Sequence, residues 1–394
     1  SLDVHCMKII YFGSSVPDAV RQAPNQLRKL IGSEACHRRE SHIFRSLQDF
    51  NIESSKLVFV STAYGEKSGP FRNQTILDGD TKIVCLGYWG SKYFRHLTSY
   101  VTAFCWIAKN YNANDVAITY NFPPVYALPI LIMRFFGKRK LVIEFEDFFN
   151  PSDIRYYIYG PFVYLGIKMS SAFLASSEGM KTYLSRLRPE SNIVVNGGYC
   201  PETIMSSDSP LESDGPVKIL YSGSLDAERG VENLLGYFRS QSDLNFNLSF
   251  SGSGPLSNAI MLAAEKDDRV KYLGLLDQLD YAQAIESADI CINSQYSSIS
   301  VNFPSKITTY LAFGKIVLST EIESLVNSAY SDSLIFYNDQ DPTDFWAKLY
   351  FIKENIDKLN SQSEARKSAL KDILIGQEKA FGRLIKQMVI PESI

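Results

Sequence analysis

The chain has 394 residues, of which 45% are hydrophobic and 21% are charged, and its formal net charge is −3. This composition is typical of a globular protein and excludes a disordered or fibrous one. The length predicts two domains, because a single hydrophobic core seldom grows to this size. The slight negative charge argues against a nucleic-acid partner, since a protein that binds duplex nucleic acid normally contains a basic domain.

Short runs of β-branched and aromatic residues recur along the first half of the chain. They predict strands at residues 8–13, 56–62, 82–87, 115–120, 140–146, 172–176 and 192–196. Several runs are almost continuously apolar, as expected of strands that are buried on both faces. Stretches of helical length lie between them, for example at 42–50 and 94–109, and this alternation predicts a parallel sheet in a Rossmann-like domain over residues 1–198.

Residues 199–215 are rich in Pro, Ser, Asp and Glu and show no periodicity, which is typical of an exposed linker. Beyond this linker the alternation resumes, and strands are expected at 217–222, 247–251, 270–274, 290–294 and 316–320. These elements predict a second Rossmann-like domain over residues 216–372. Residues 373–394 predict a C-terminal helix, which packs either on the second domain or back toward the first.

The distribution of cysteine and histidine gives no sign of a metal site. Six cysteines are scattered without a close pair, and the four histidines all precede residue 97. This pattern indicates neither zinc ligands nor a disulfide framework, and it fits a reducing cytoplasm. The longest apolar stretch, at 122–136, falls short of the ~20 residues that a membrane-spanning helix needs. We therefore expect a cytoplasmic protein, or one held peripherally at the inner face of the membrane.

The most informative segment begins at Pro304-Ser305-Lys306 and ends at Gly314. Pro304 suits the first turn of a helix, and Gly314 suits the end of one. Free backbone N–H groups around Ser305, the helix dipole and the Lys306 ammonium would together form an anion site, for which a diphosphate is the natural ligand. The same residues also fit a plain helix start with a solvated lysine.

Two further glycine-containing turns follow predicted strands of the second domain. Gly223-Ser224 follows the strand at 217–222, and Arg229, which opens the next helix, adds a second cation at the same edge of the sheet. Gly252-Ser253-Gly254 follows the strand at 247–251, and its glycines allow positive φ and a close approach of two backbones. Each turn alone fits an ordinary connection, but three such loops at one edge favour a ligand site, because ligands of open α/β sheets bind there.

These segments resemble the donor-binding domain of retaining glycosyltransferases of family 4, in particular the members with Pro-Ser-Lys before Glu-Tyr-Leu-Ala. The matching parts of this chain are Gly223-Ser224-Leu225, Arg229-Gly230, Gly252-Ser253-Gly254-Pro255-Leu256, Val270 to Gly274, Ala288-Asp289 and Ala312 to Val317. The resemblance implies the α/β GT-B fold, in which two Rossmann-like, doubly wound domains face each other across a cleft. It also implies an enzyme that transfers a sugar from a nucleotide diphosphate sugar, expected to be a UDP-sugar, with retention of configuration. The implied acceptor is a glycan or a polyprenyl-linked lipid of bacterial-type surface polysaccharide synthesis.

The resemblance assigns roles to individual residues. Lys306 and Arg229 are expected to bind the donor diphosphate and to stabilise the charge that develops on it. Further donor contacts are expected from Gly13, Ser14, Gly223, Ser224, Gly252, Ser253, Gly254, Ser305 and Thr309. No metal or other cofactor is expected, because a helix terminus and two cations can hold a diphosphate.

Three positions depart from the family pattern. The paired glutamates of the family fall on Val301 and Thr309, and its usual arginine falls on Ser224. Each lost charge-assisted hydrogen bond is worth about 1.5–3 kcal/mol, so donor binding is expected to be weaker without being abolished. Two alternatives to an active transferase stay open, and the departures motivate the first of them. One is a catalytically impaired homologue that acts as a nucleotide-sugar-binding partner, and the other is a sugar-nucleotide epimerase on the same fold.

The first domain offers its own candidates. Asp147 ends a predicted central strand, where it would act as a base toward the acceptor hydroxyl or, alternatively, serve as a structural cap. Gly13-Ser14 follows the opening strand as a donor-phosphate loop or as an ordinary turn. The basic, apolar helix expected at 125–140 fits either an anionic membrane surface or a buried crossover with a charged end.

Overall fold

The computed structural model describes residues 7–13, 34–50, 55–62, 72–89, 94–137, 139–146, 154–199, 215–297 and 302–389. The chain divides into two compact units. The first contains Ser1–Ser176, Met180–Asn196 and Gln377–Ile394, and the second contains Ser177–Gly179 and Gly197–Gly376. Most of the expected linker, residues 200–214, lies outside the described residues.

A sheet of eight strands forms the centre of the first unit. Its strands are β1 Met7–Gly13, β2 Ser55–Ser61, β3 Gln74–Asp78, β4 Thr81–Cys85, β5 Val116–Tyr120, β6 Lys140–Phe145, β7 Ala172–Ala175 and β8 Asn192–Val195. They lie in the order β3-β4-β2-β1-β5-β6-β7-β8. All neighbours are parallel except β3 and β4, which form an antiparallel hairpin. The chain therefore reverses its direction of travel across the sheet between β1 and β5.

The helices that the structure describes in the first unit are α1 Glu34–Asp49, α2 Phe94–Asn110, α3 Pro124–Phe135, α4 Ile154–Met169 and α5 Glu178–Leu187. The helices α2, α3 and α4 pack side by side as one layer. Apolar side chains of the strands, such as Ile9, Ile118 and Val142, are fully buried or nearly so. Burying such side chains is the main contribution to the stability of the unit.

The second unit is built on six strands that are all parallel. They are β9 Val217–Ser222, β10 Phe246–Ser251, β11 Val270–Gly274, β12 Ile290–Asn293, β13 Ile316–Thr320 and β14 Ile335–Tyr337. Their order is β11-β10-β9-β12-β13-β14. The chain runs outward from β9 through β10 to β11 and then returns to the other side of β9 at β12, which is the topology of a doubly wound sheet.

The helices of the second unit within the described ranges are α6 Val231–Arg239, α7 Ser257–Ala264, α8 Gln278–Ser287, α9 Lys306–Ala312, α10 Glu323–Val326, α11 Pro342–Glu354 and α12 Ile356–Asn360. The last helix, α13 Ser363–Val389, extends from the second unit into the first. In the first unit its side chains Phe381, Leu384 and Ile385 join the core beneath the sheet. There the ring of Phe381 lies 5.2 Å from that of Phe50.

The strands expected from the sequence are all present, with ends that agree to within two residues. In the part of the chain that the structure describes, two further strands occur that the sequence did not predict. The edge strand β3 alternates between half-buried and exposed residues, so it lacks the continuous apolar run of a central strand. The other, β14, has only three residues.

Candidate anion-binding site of the second unit

The candidate site lies at the carboxyl ends of β9 and β12. These two strands are hydrogen-bonded neighbours, and the chain changes its direction across the sheet between them. In open α/β sheets, this point is where loops diverge and leave a crevice for ligands. The loops that follow the two strands begin at Gly223 and Ser294, and α9 follows the second of them.

Helix α9 is fixed against the end of β9 by a tyrosine. The hydroxyl of Tyr310 accepts a hydrogen bond from the backbone N–H of Ser222 at 3.0 Å and lies 2.7 Å from the hydroxyl oxygen of the same residue. Lys306 stands one helical turn before Tyr310, on the same side of the helix. Its side chain is thereby directed to the loop that begins at Gly223.

The Lys306 ammonium is buried and has no hydrogen-bond acceptor among the residues that the structure describes. Its Nζ lies 3.9 Å from the centre of the Tyr221 ring, a cation–π contact. Burial and the nearby Arg229 guanidinium hold the pKa of Lys306 well below its ordinary value, and the Asp226 carboxylate offsets only part of this effect. A buried cation that lacks an acceptor is energetically costly, and an anion beside it would remove that cost.

Arg229 is the second cation at this edge. It ends a short 3-10 helix, Ala227–Arg229, which is capped by Asp226 through a 2.9 Å hydrogen bond from the Arg229 N–H to the carboxylate. Its guanidinium donates to the Gln295 side chain at 3.1 Å. Gly230 follows with φ +65°, and a Cβ there would lie 1.8 Å from the Ser294 carbonyl oxygen. Only glycine fits at this position, which brings Arg229 against the loop after β12.

The glycines after β9 and β10 allow two loops to pack backbone against backbone. A Cβ on Gly252, which has φ +132°, would lie 1.8 Å from the Gly223 carbonyl oxygen, and a Cβ on Gly254 would lie 2.4 Å from the Leu225 carbonyl oxygen. Hydrogen bonds join the loops, from the Gly223 N–H to the Ser251 carbonyl at 3.0 Å and from the Leu225 N–H to the Ser253 carbonyl at 3.1 Å. The close approach expected of both glycines is present. Positive φ is found at Gly252 and not at Gly254.

Ser224 lies on the exposed rim of the first loop. Its hydroxyl donates to the Asp226 carboxylate at 2.6 Å, and its carbonyl accepts a hydrogen bond from the Tyr221 hydroxyl at 2.8 Å. A carboxylate therefore stands beside the position that an arginine occupies in the family pattern.

The remaining donor residues expected in this unit are Ser253, Ser305 and Thr309. Helix α9 begins at Lys306, two residues after Pro304, and the Ser305 side chain makes no capping hydrogen bond. Thr309 is half-buried on α9, and Ser253 is exposed. Gly314 ends the helix with φ +66°, as expected. Val301 lies outside the described residues.

Three residues of the site were missed from the sequence: Tyr221, Asp226 and Gln295. Tyr221 has the pattern of a core aromatic in a buried strand, and it is indeed fully buried. Asp226 could have been found, because an Asp three residues before Arg229 is a capping signal. Gln295 follows β12 without any motif, so nothing in the sequence identified it.

In the first unit, Gly13 is the last residue of β1. A Cβ there would lie 2.6 Å from a carboxylate oxygen of Glu40, and its carbonyl accepts a hydrogen bond from the Tyr126 hydroxyl at 2.9 Å. The absence of a side chain at Gly13 therefore makes room for Glu40. Ser14 and Asp147 lie outside the described residues.

A buried ion-pair cluster adjoins the end of β6. The Arg39 Nε lies 2.8 Å from a carboxylate oxygen of Glu144 and 2.6 Å from one of Glu146, and the Tyr11 hydroxyl donates to Glu144 at 2.9 Å. Burial raises the pKa of Glu144, although Arg39 and Tyr11 oppose this effect. Arg39 also donates to the Asn196 carbonyl. The cluster therefore ties α1 to the carboxyl ends of β6 and β8.

Two further features concern metals and membranes. Among the described residues, no three or more His, Cys, Asp or Glu side chains are grouped so that they could hold a metal ion. Asp78 ends β3, Asp80 lies in the turn between β3 and β4, and Asp341 caps α11 by accepting a hydrogen bond from the Thr343 N–H. Within the described ranges, none of the helices combines the length and the apolar character needed to span a bilayer.

Comparison with known proteins bears on the second unit and on the fold. Residues 216–355 match the family model for glycosyl transferases group 1, so the match covers the unit that holds Lys306 and Arg229. Sucrose-phosphate synthase from Thermosynechococcus elongatus superposes with a TM-score of 0.71 at 12% identity, covering 97% of this chain and 99% of that one. The chain has the GT-B fold. No curated protein sequence matches it.

Other GT-B structures are similar to nearly the whole chain. The Anabaena protein HepE, solved in complex with UDP, has a TM-score of 0.66 at 12% identity and covers 97% of this chain and 100% of its own. A glycosyltransferase from Rickettsia africae has a TM-score of 0.63 at 15% identity, covering 99% of this chain and 100% of that one. At such identities the likeness establishes the fold alone.

Proposed function

We propose that this GT-B protein is a glycosyltransferase that uses a UDP-sugar as donor and transfers the sugar with retention of configuration. The proposed acceptor is a glycan or a polyprenyl-linked lipid of bacterial-type surface polysaccharide synthesis. Retention and UDP are carried over from the resemblance to family 4. The UDP complex of HepE and the family match of residues 216–355 support a nucleotide-sugar donor.

The single observation that carries the proposal is the Lys306 ammonium. It is buried at the switch point of the sheet without an acceptor, and Arg229 lies close enough to depress its pKa. Two neighbouring cations repel each other unless an anion lies beside them, and a diphosphate supplies enough negative charge for both. A Cβ on Gly223 would lie 3.6 Å from the Lys306 Nζ, so the absence of a side chain there leaves room for a phosphate to approach the backbone.

In the proposed reaction, the bond between the anomeric carbon and the β-phosphate oxygen breaks, and the electron pair stays on the UDP leaving group. Lys306 and Arg229 stabilise this growing negative charge, which is the main way in which such a site accelerates transfer. Because the two cations do this, we propose that the reaction needs no metal. The acceptor hydroxyl loses its proton as the new glycosidic bond forms, and we assign the uptake of that proton to Asp147.

Turnover of UDP-sugars tests the proposal. We expect Lys306→Ala and Arg229→Ala each to lower kcat by about 100- to 1,000-fold, the range seen when one charge-stabilising donor is removed. Arg239→Ala is the matched control, because Arg239 is an exposed arginine of the same unit at the far end of α6. Near-normal turnover in both site variants would contradict the proposed role of the cations. The anomeric configuration of the product, read by NMR, tests retention separately.

One observation favours a second candidate, a nucleotide-sugar-binding partner without transferase activity. Ser224 and Asp226 form a hydrogen-bonded pair where the family pattern has an arginine. One cation is therefore replaced by a carboxylate close to the phosphates, which lowers the expected stabilisation of the leaving group. Calorimetric binding of UDP without hydrolysis or transfer of any UDP-sugar would favour this candidate.

A further inference from the structure

The layer formed by α2, α3 and α4 differs in charge from the rest of the molecule. These helices contain 17, 12 and 16 residues, and none of those residues is Asp or Glu. The whole chain contains 43 acidic residues and has a net charge of −3. The basic residues of the three helices are Arg95, Lys109, Arg134, Arg155 and Lys168. An acidic protein thus has one helical layer with only positive charge.

Helix α2 exposes apolar side chains along one stripe. Its inward face consists of Ser99, Ala103 and Ile107, which are buried. Its outward face carries four large apolar residues that are 41–63% exposed, namely Phe94, Leu97, Val101 and Phe104. Surface helices of proteins in water normally have polar residues on the outward face. The outward face of α2 is therefore unusually apolar for a surface that contacts only water.

The next two helices continue the apolar surface. Leu128 of α3 is 46% exposed, and Tyr164 and Leu165 of α4 are 52% and 49% exposed. At the end of α3, Phe135 and Phe136 are 81% and 77% exposed. Most of α3 fits the expected alternative of a buried crossover with a charged end, because Pro124 to Ala127 and Pro129 to Leu131 are buried, so α3 adds only Leu128 and its last turn to the exposed surface. An extended exposed apolar surface of this kind indicates an interaction site.

Cations lie close together at one end of this surface, where α3 and α4 end and lead into β6 and β7. Arg134, Lys168 and Arg188 line an open cavity of about 500 Å³ together with Phe135 and Phe136, and no carboxylate lines it. Arg188 forms an ion pair with the exposed Glu190, and the Lys168 ammonium also interacts electrostatically with that carboxylate. The cavity therefore has three cations beside one exposed carboxylate. The Lys168 Nζ lies 5.5 Å from the centre of the Tyr164 ring. Aromatic rings beside lysine and arginine suit the boundary between lipid headgroups and acyl chains.

We propose that the outward face of α2, α3 and α4 binds the surface of a bilayer that contains anionic phospholipid. The exposed aromatic and aliphatic side chains insert among the upper acyl chains, and Arg134 and Lys168 contact headgroup phosphates. A bilayer fits better than a protein partner because the apolar residues are spread over three side-by-side helices. In addition, the charges of the whole layer have one sign, opposite to that of anionic lipid.

The position of α2 in the sheet topology suggests a role for this surface. Helix α2 crosses from β4 to β5, which belong to the parallel part of the sheet, so it starts at the edge where the strands end. Phe94 therefore lies at the same edge of the sheet as Gly13. A membrane against this layer would bring a polyprenyl-linked acceptor toward that edge. This use of the surface rests on the proposed function, whereas the binding of lipid does not.

Vesicle flotation with the full chain, without any donor, tests the proposal. We expect binding to vesicles of phosphatidylcholine mixed with phosphatidylglycerol, weakened by added salt, and little binding to phosphatidylcholine alone. Lys168→Gln should weaken binding about fivefold, because each basic residue at an anionic surface contributes about 1 kcal/mol. Leu97→Glu and Phe135→Ser should abolish most of it. The matched control is Leu279→Glu, since Leu279 is 76% exposed on α8 of the other unit, and this variant should bind normally.

Several outcomes would overturn the proposal. These are no binding to anionic vesicles, equal binding to both kinds of vesicle, or unchanged binding in Leu97→Glu and Phe135→Ser. Self-association of the wild-type chain in sedimentation velocity, lost in Leu97→Glu while vesicles are not bound, would instead assign this face to a second copy of the chain. Thermal unfolding and UDP titration of each variant show whether the fold and the donor site are intact. If the wild-type chain does not bind UDP, the proposed function is refuted, but the proposed lipid-binding surface is not affected.

Discussion

Replacing Lys306 by Met should change binding and stability in opposite directions. Methionine keeps an apolar chain of similar length and removes the ammonium, which has no hydrogen-bond acceptor among the described residues and contacts only the face of the Tyr221 ring at 3.9 Å. A hydrogen bond that involves a charged group contributes about 1.5–3 kcal/mol, so UDP should bind about 10- to 150-fold more weakly. A buried polar group without a partner costs about 1–3 kcal/mol, so the free protein should become more stable by a similar amount. Its Tm should rise by about 1 °C for each kcal/mol, because the unfolding entropy of about 2.1 cal/mol/K per residue is summed over 394 residues.

Calorimetric titration with UDP measures the first effect, and thermal unfolding of the free protein measures the second. Lys315→Met is the matched control, because Lys315 is also a buried lysine of the second unit but donates to the carbonyls of Glu286 and Ala288 at 2.7 and 2.9 Å. This control should lose stability, since two carbonyls lose their donor, and should bind UDP normally. If Lys306→Met instead destabilised the protein and left UDP affinity unchanged, Lys306 would be a structural residue and the anion site would be refuted.

Three further predictions concern pH and backbone. The pKa of Lys306 is depressed, and a bound anion would raise it, so UDP binding should take up a proton. The affinity for UDP should fall as the pH rises above the pKa that Lys306 has in the free protein. Calorimetric titrations in buffers of different ionisation enthalpy would show the proton uptake, and heats that do not depend on the buffer would contradict it. Gly252→Ala should destabilise the protein by roughly 2–4 kcal/mol, because Gly252 has φ +132° and a Cβ there would meet the Gly223 carbonyl. The control is Gly236→Ala, which should be neutral or stabilising because a Cβ at Gly236 would meet no atom within 4 Å. Equal urea midpoints for the two variants would refute the argument. Burial and neighbouring arginines lower the pKa of His42 to about 3, so the unfolded chain binds a proton below about pH 6.5 that the folded chain does not. Stability should therefore fall as pH drops through this window, and less steeply in His42→Gln; parallel curves for the variant and the wild type would count against it.

The sequence predicts central strands well because their burial leaves a clear pattern. The bounds of β9 and β13 match the expected residues, since each is a continuous run of side chains that are buried on both faces or nearly so. Helix starts are less certain. Pro304 and Pro255 suggest first turns, yet α9 and α7 begin two residues later, because proline fits equally well in the turn that precedes a helix.

Some residues of the candidate site could be predicted from the sequence, and others could not. Lys306 and Arg229 could be found because cations beside strand-end glycines form a pattern in the sequence, and the structure brings both to one edge. The Tyr221 ring beneath the ammonium could not be found, since a tyrosine in an apolar strand is indistinguishable from a core residue. The contact between Arg229 and Gln295 joins residues 66 positions apart, and only the order of the strands brings them together. Asp147, Ser14 and Val301 remain predictions from the sequence, because they lie outside the described residues.

Under the proposed function, the two loops that meet at Gly223 and Gly252 have a consequence for how donor preference can diversify. Their shape is set by hydrogen bonds between the backbones themselves, so it is fixed when the chain folds and does not wait for a ligand. Little conformational entropy is then lost at these loops when a phosphate binds. Side chains on the rim, such as Ser224, can change during evolution without reshaping the loops beneath them. Under the proposed function, the sugar that is accepted could thus change while the backbone of these loops stays the same.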